Sequence, residues 1–204
     1  MDNRLVVALD ERDAQAAQRF IEDESDPARV LAMYHGALRH LYWSNKDIET
    51  LVGVGRFALA FGAAVTDEAH LGLVKSIAYD IGSFCWPGWD EPGIEIDDAT
   101  LAFGADAAVL NLELALRLRR PAGPMANAHW LIGAHHLVTG RTADAVTAFE
   151  RSRSLADDEA TKVLADAYIA IATGERWNDA AFASLEEGEQ LVAQLRTAER
   201  LYGH

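Results

Sequence analysis

The chain has 204 residues, half of them hydrophobic, which is enough for a substantial core in one domain or a tight pair. It is rich in Ala and Leu with few β-branched runs, a composition that leans to helix, and 32 acidic residues against 18 basic ones leave a net charge of −14. That balance argues against a general affinity for nucleic-acid phosphates or for anionic lipid, both of which call for a basic face.

Helix signals then recur at short intervals along the chain. A first helix is expected around 11–23. Asp26-Pro27 places a capping carboxylate before a first-turn proline, and Leu31, Tyr34, Leu38 and Leu41 follow at helical spacing. Ser44 and Asp47 resemble a capping box ahead of Ile48, Leu51, Val52 and Phe57. Thr66 opens a segment through Leu73, Ile77 and Phe84 that Pro87 closes. Asp98 starts a long run with Leu101, Ala105, Ala108, Leu112 and Leu116 on one face, ending before Pro121. Pro124 begins a helix to about Val138, stopped by Gly140; Thr142 caps the next, to about Ala156. Residues 158–173 form another, stopped by Gly174, and Asn178 caps a last one reaching about Leu201. The expected fold is therefore all-α, about nine helices joined mostly by short links and so packed as antiparallel hairpins. A single domain over 1–204 is expected, with hairpins over 1–84, a connecting loop over 85–97 and further helices over 98–204.

Residues 83–98, SFCWPGWDEPGIEIDD, are the exception to the short links. Tryptophans in a loop favour a compact connection whose indoles plug a gap between helices. A second reading makes the loop the rim of a binding site, with Trp86 and Trp89 for stacking and Asp90 and Glu91 for charge. Between Lys75 and Arg117 there is no Lys or Arg, while eight acidic residues fall there. This is a solvated acidic surface or, on the sharper reading, a docking patch for a basic partner. Cys85 is the only cysteine, so a reducing compartment is expected, and no apolar run reads as a signal segment or a bilayer span. The expected setting is soluble and cytoplasmic.

Gly140 and Gly174 lie 34 residues apart, the period of the tetratricopeptide repeat. Over about 126–158 the chain resembles that family in more than period. Ile132-Gly133 stands for its Leu-Gly, Ala145 and Phe149 fall in register, and Gly140 occupies the turn. The small residues let two antiparallel helices touch, and Phe149 fills the space towards the next helix. On this register His129 and His136 take the family's Trp and Tyr positions, so HWLIGAHH reads as packing rather than as a metal site. His135 falls off that face and is expected to be exposed. Asp157 replaces the family's terminal proline, and the following repeat, weaker and reaching to about 200, carries an insertion at Trp177-Asn178 before a long capping helix. Upstream, Gly55 and Gly62 repeat the seven-residue interval of Gly133 and Gly140 without the matching Ala and Phe.

The resemblance implies a concave groove lined by the first helix of each repeat, here by Asn127, Trp130, Ala134 and Leu137, apolar enough for a helix or an extended apolar segment. The expected function is a protein-protein interaction module, a cytoplasmic adaptor or scaffold that binds a peptide or protein partner. The alternatives are a small-molecule-binding protein or enzyme with its pocket near 83–98, and a self-associating homo-oligomer. No catalytic residue, metal ligand or cofactor is assigned. GVGRFA at 53–58 matches a dinucleotide fingerprint but lacks its strand context, so its glycines read as helix contacts. Residues 4–23 read like a strand and a helix and resemble the opening of orotidine monophosphate decarboxylase. That family's D-x-K-x-x-D array is absent, so no activity is implied. Cys85 follows His70 by fifteen residues, a spacing that marks no thiol nucleophile.

Overall fold

The computed structural model describes residues 2–203. Ten α-helices occur among them and no β-strand: α1 (Asn3–Asp10), α2 (Ala14–Glu22), α3 (Pro27–His40), α4 (Ile48–Ala63), α5 (Glu68–Phe84), α6 (Asp98–Arg117), α7 (Ala122–Val138), α8 (Thr142–Leu155), α9 (Glu159–Thr173) and α10 (Gly188–Tyr202). Seven aspartates help to start them. Asp2, Asp13, Asp26, Asp47, Asp67, Asp97 and Asp158 each accept a hydrogen bond from a first-turn amide, at 2.7–3.1 Å. A carboxylate there satisfies an orphan donor and meets the positive end of the helix dipole.

The chain divides into two compact units, Met1–Cys85 with Pro92–Leu114, and Trp86–Glu91 with Ala115–His204. Six residues of the Trp/Pro-rich loop thus belong to the second unit, although the chain on either side of them belongs to the first. In the first unit, Leu5, Leu9, Ile21, Leu31, Leu38, Leu41 and Leu51 are fully buried. The Tyr34 hydroxyl donates to Glu22 at 2.6 Å, and His35 Nε2 lies 2.8 Å from Asp80. The supposed fingerprint is helical throughout, and a Cβ on Gly55 would lie 3.2 Å from Ile81 and Phe103. Gly62 also lies within α4, against Val74, and so marks no hairpin turn.

Four readings of the sequence are corrected here. The apolar start is a helix, α1, and not a strand; with α2 it replaces the single helix expected over 11–23. The last helix does not begin at Asn178. That residue caps a short 3-10 turn, Asp179–Phe182, and α10 starts afresh at Gly188, which packs against the Phe182 carbonyl. On α6 the residues Thr100, Ala107, Asn111 and Leu114 are buried, while of the face read from sequence Ala108 alone is buried, Leu101, Ala105 and Leu112 are half-buried and Leu116 stands 58% exposed. Finally, α6 is long and apolar enough to cross a bilayer by length and composition, with mean hydropathy 1.4, where no such stretch was expected.

In the second unit α7, α8 and α9 pack in sequence as antiparallel neighbours. Gly140 and Gly174 stop α7 and α9 with φ of 68° and 72°, a left-handed conformation that glycine adopts without strain. Gly133 is pressed on the Phe149 ring of α8, where an added Cβ would sit 2.6 Å from a ring carbon. Gly133→Leu therefore destabilises the second unit by about 3 kcal/mol, the upper range for overpacking. Urea unfolding would measure it, and a variant that unfolds with the parent would contradict this helix contact.

Candidate functional site

The residues singled out from sequence at the loop and on α7 meet in one aromatic cluster within the second unit. Pro87 opens a single 3-10 turn, Pro87–Trp89, and Asp90 ends it in the left-handed region at φ 48°. Gly88 lies flat against the Trp86 ring, with no room for a side chain. The turn sends Trp86 inward: its side chain is fully buried, and its Nε1 donates to the Ala134 carbonyl of α7 at 3.2 Å.

Around it three ring pairs meet edge to face, an arrangement their quadrupoles favour, and others are tilted. Trp86 crosses Trp89 at 5.0 Å and 87° and Trp130 at 5.5 Å and 78°, and Trp130 crosses Tyr168 of α9 at 5.5 Å. Tyr168 also stacks on Phe149 at 5.1 Å. Asp90 then pairs with Arg200 of α10, anchoring the far end of the segment. The stretch from Trp86 to Asp90 is thus held at both ends, by an indole in an aromatic slot and by a carboxylate on a guanidinium.

Of the residues expected to line a groove, Trp130, Ala134 and Leu137 are buried and Asn127 is exposed. Trp130 and Ala134 face the chain's own Trp86 segment. Trp89 and Glu91 are half-buried, and Asp90 is exposed. Sequence reading missed Tyr168, Arg200 and Tyr202, which complete the surroundings of the segment; nothing local to them marks that role. Two buried polar atoms in this cluster, Trp130 Nε1 and the Tyr202 hydroxyl, make no hydrogen bond. Burial beside Asp90 pushes the Tyr202 hydroxyl up to about 12. The Tyr168 hydroxyl accepts from Gln194 at 2.8 Å.

The three histidines divide. His135 is buried, contrary to expectation, because α7 is apolar nearly all round and is covered on more than one side. His129 and His136 are half-buried in an open groove between α7 and α8, together with Asp144, Glu150 and Arg151. Among the described residues, no group of three or more His, Cys, Asp or Glu is placed to hold a metal ion. Burial pushes the Cys85 thiol up to about 12, which leaves it protonated and unsuited to nucleophilic attack. The chain was compared with family models, with curated proteins and with solved structures, and none matches.

Burial holds both His129 and His136 below the ordinary imidazole value of 6.5, helped by Arg151 and Arg141 respectively, while Asp144 opposes the shift at His136. The folded chain favours their neutral forms, so the unfolded chain binds protons more readily. Their contribution to stability is full above 6.5 and is lost as pH falls through the lowered folded values. The unfolding midpoint should therefore drop between about pH 7.5 and about pH 5, with a smaller drop in the His129→Gln/His136→Gln double variant. Equal drops in the two proteins would contradict this account of the histidines.

Proposed function

We propose that the chain is a TPR-like interaction module that receives a peptide or protein segment on the face formed by α7 and α9. One observation carries this reading: that face already holds a short segment in cis. Trp86 enters an aromatic slot, its indole donates to a backbone carbonyl of α7, and Asp90 is held by Arg200. Buried aromatic anchors with charged pairs at the edge are the usual make-up of a peptide site. The paired glycine stops at Gly140 and Gly174 and the Gly133–Phe149 contact support the repeat-like character of the scaffold.

A second reading, a small-molecule site in the same cluster, has its own support in the unpartnered Trp130 Nε1 and Tyr202 hydroxyl, since a buried donor without an acceptor costs about 1–3 kcal/mol. A ligand carrying one acceptor group would relieve that cost.

The test uses the full chain with Trp86→Ala and Trp89→Ala, which empties the slot, and a synthetic peptide of the sequence SFCWPGWDEP. The variant should bind the peptide and gain thermal stability with it, at least about tenfold more tightly than the parent, whose slot is filled. Failure of the peptide to bind or stabilise a variant that keeps the parent's helical circular dichroism would remove the peptide-site reading and leave the small-molecule one.

A further inference from the structure

α6 is packed the opposite way from what its side chains would suggest. Its buried positions are mostly small or polar, Thr100, Gly104, Ala107, Ala108, Asn111 and Ala115, with Leu114 the one large apolar residue among them, and the Asn111 amide is fully buried with neither its oxygen nor its nitrogen hydrogen-bonded. Its outer side keeps larger apolar groups in solvent, with Val109 48% and Leu116 58% exposed. Ala102, Ala105, Val109, Leu112 and Leu116 follow one another at spacings of three and four, the a and d positions of a heptad repeat. All five are exposed or half-buried. Scattered exposed apolar residues need no explanation, but five in the seam of one 20-residue helix do.

The charges beside the seam say what fits it. Asp106 and Glu113 share the heptad position next to d, both are exposed, and neither makes an ion pair. The sequence has no Lys or Arg between Lys75 and Arg117; Arg117 follows Glu113 by one turn and Arg56 lies over the Phe103 ring, but neither pairs with Asp106 or Glu113. A second copy of this helix is a poor occupant. Paired antiparallel about Val109, it would bring its own Glu113 beside Asp106, like charge on like; paired parallel, it offers the two acids no cation. An anionic lipid surface meets the same repulsion.

We propose that the outer face of α6 is a docking stripe for an amphipathic helix of a partner protein. That helix presents its own a/d apolar seam and Lys or Arg at the flanking positions that meet Asp106 and Glu113. The apolar seam supplies the binding free energy, and the two acids select the sign and register of the partner. This surface shares no residue with the α7–α9 face, and its test does not depend on that reading.

The probe is a synthetic three-heptad helical peptide with Leu at a and d and Lys at the flanking positions. Two controls accompany it, one with Glu in place of Lys and one with Gln in place of Leu. Binding to the full chain is followed by fluorescence anisotropy. The Leu/Lys peptide should bind and both controls should fail. Val109→Glu with Leu116→Glu should weaken binding at least about tenfold, and Asp106→Lys with Glu113→Lys should reverse the preference towards the Glu peptide. These positions are solvent-exposed, so the variants should keep the parent's circular dichroism and melting temperature. The proposal is overturned if the Gln control binds as well as the Leu/Lys peptide, or if the charge-reversed variant keeps the parent's preference. It is also overturned if sedimentation shows a dimer that Val109→Glu dissociates, or if the chain floats with neutral phosphatidylcholine vesicles until Val109→Glu is introduced.

Discussion

The second unit depends on the burial of one indole from a distant stretch of chain. Trp86 reaches α7 across 48 residues of sequence and makes its single hydrogen bond to the Ala134 carbonyl. Burying an aromatic ring of this size is worth several kcal/mol, and here it fills the space between α7 and α9 that their own side chains leave open. Trp130, Tyr168 and Tyr202 all take their surroundings from it. The segment Trp86–Glu91 therefore serves as part of the second unit's core although it is a loop in sequence.

That constraint explains why the neighbouring residues are so specific. A side chain on Gly88 would enter the Trp86 ring, and Asp90 must adopt a left-handed conformation to leave the turn. Left-handed backbone costs a non-glycine residue about 1 kcal/mol or more, which the carboxylate recovers in part by its exposed pairing with Arg200. On the proposed reading, a groove occupied in cis would be regulated by whatever displaces the occupant, and affinity for an outside segment would be reduced to the fraction of molecules in which the slot is open.

Local signals along the sequence carried much of this fold. Asp26-Pro27, Asp47, Gly140 and Gly174 mark helix ends by chemistry that acts within one turn, and each does so in the structure. The all-α class and the contact of Gly133 with the helix that follows were legible for the same reason. What was not legible depends on partners far away in the chain. Val6 and Val7 read as extended, yet the Asp2 cap and the packing of Leu5 and Leu9 make α1 a helix. His135 looks polar from sequence and is buried because α7 is covered on more than one side. On α6, Ala and Leu are spread so evenly around the helix that periodicity alone could not choose the inner face. At the site, Trp86, Trp89 and Trp130 stood out by residue type, whereas Tyr168 and Arg200 gained their roles only from the fold.

The most direct measurement follows the indole N–H protons by hydrogen exchange in NMR spectra, with the Trp86 resonance assigned by its loss in Trp86→Phe. If the Trp86 segment is built into the core of the second unit, this proton exchanges only when that unit unfolds, orders of magnitude more slowly than the indole of Trp43, which is 54% exposed. A Trp86 indole that exchanges as fast as that of Trp43 would mean that the segment does not occupy the α7–α9 face, and the account of both the core and the groove would fail with it.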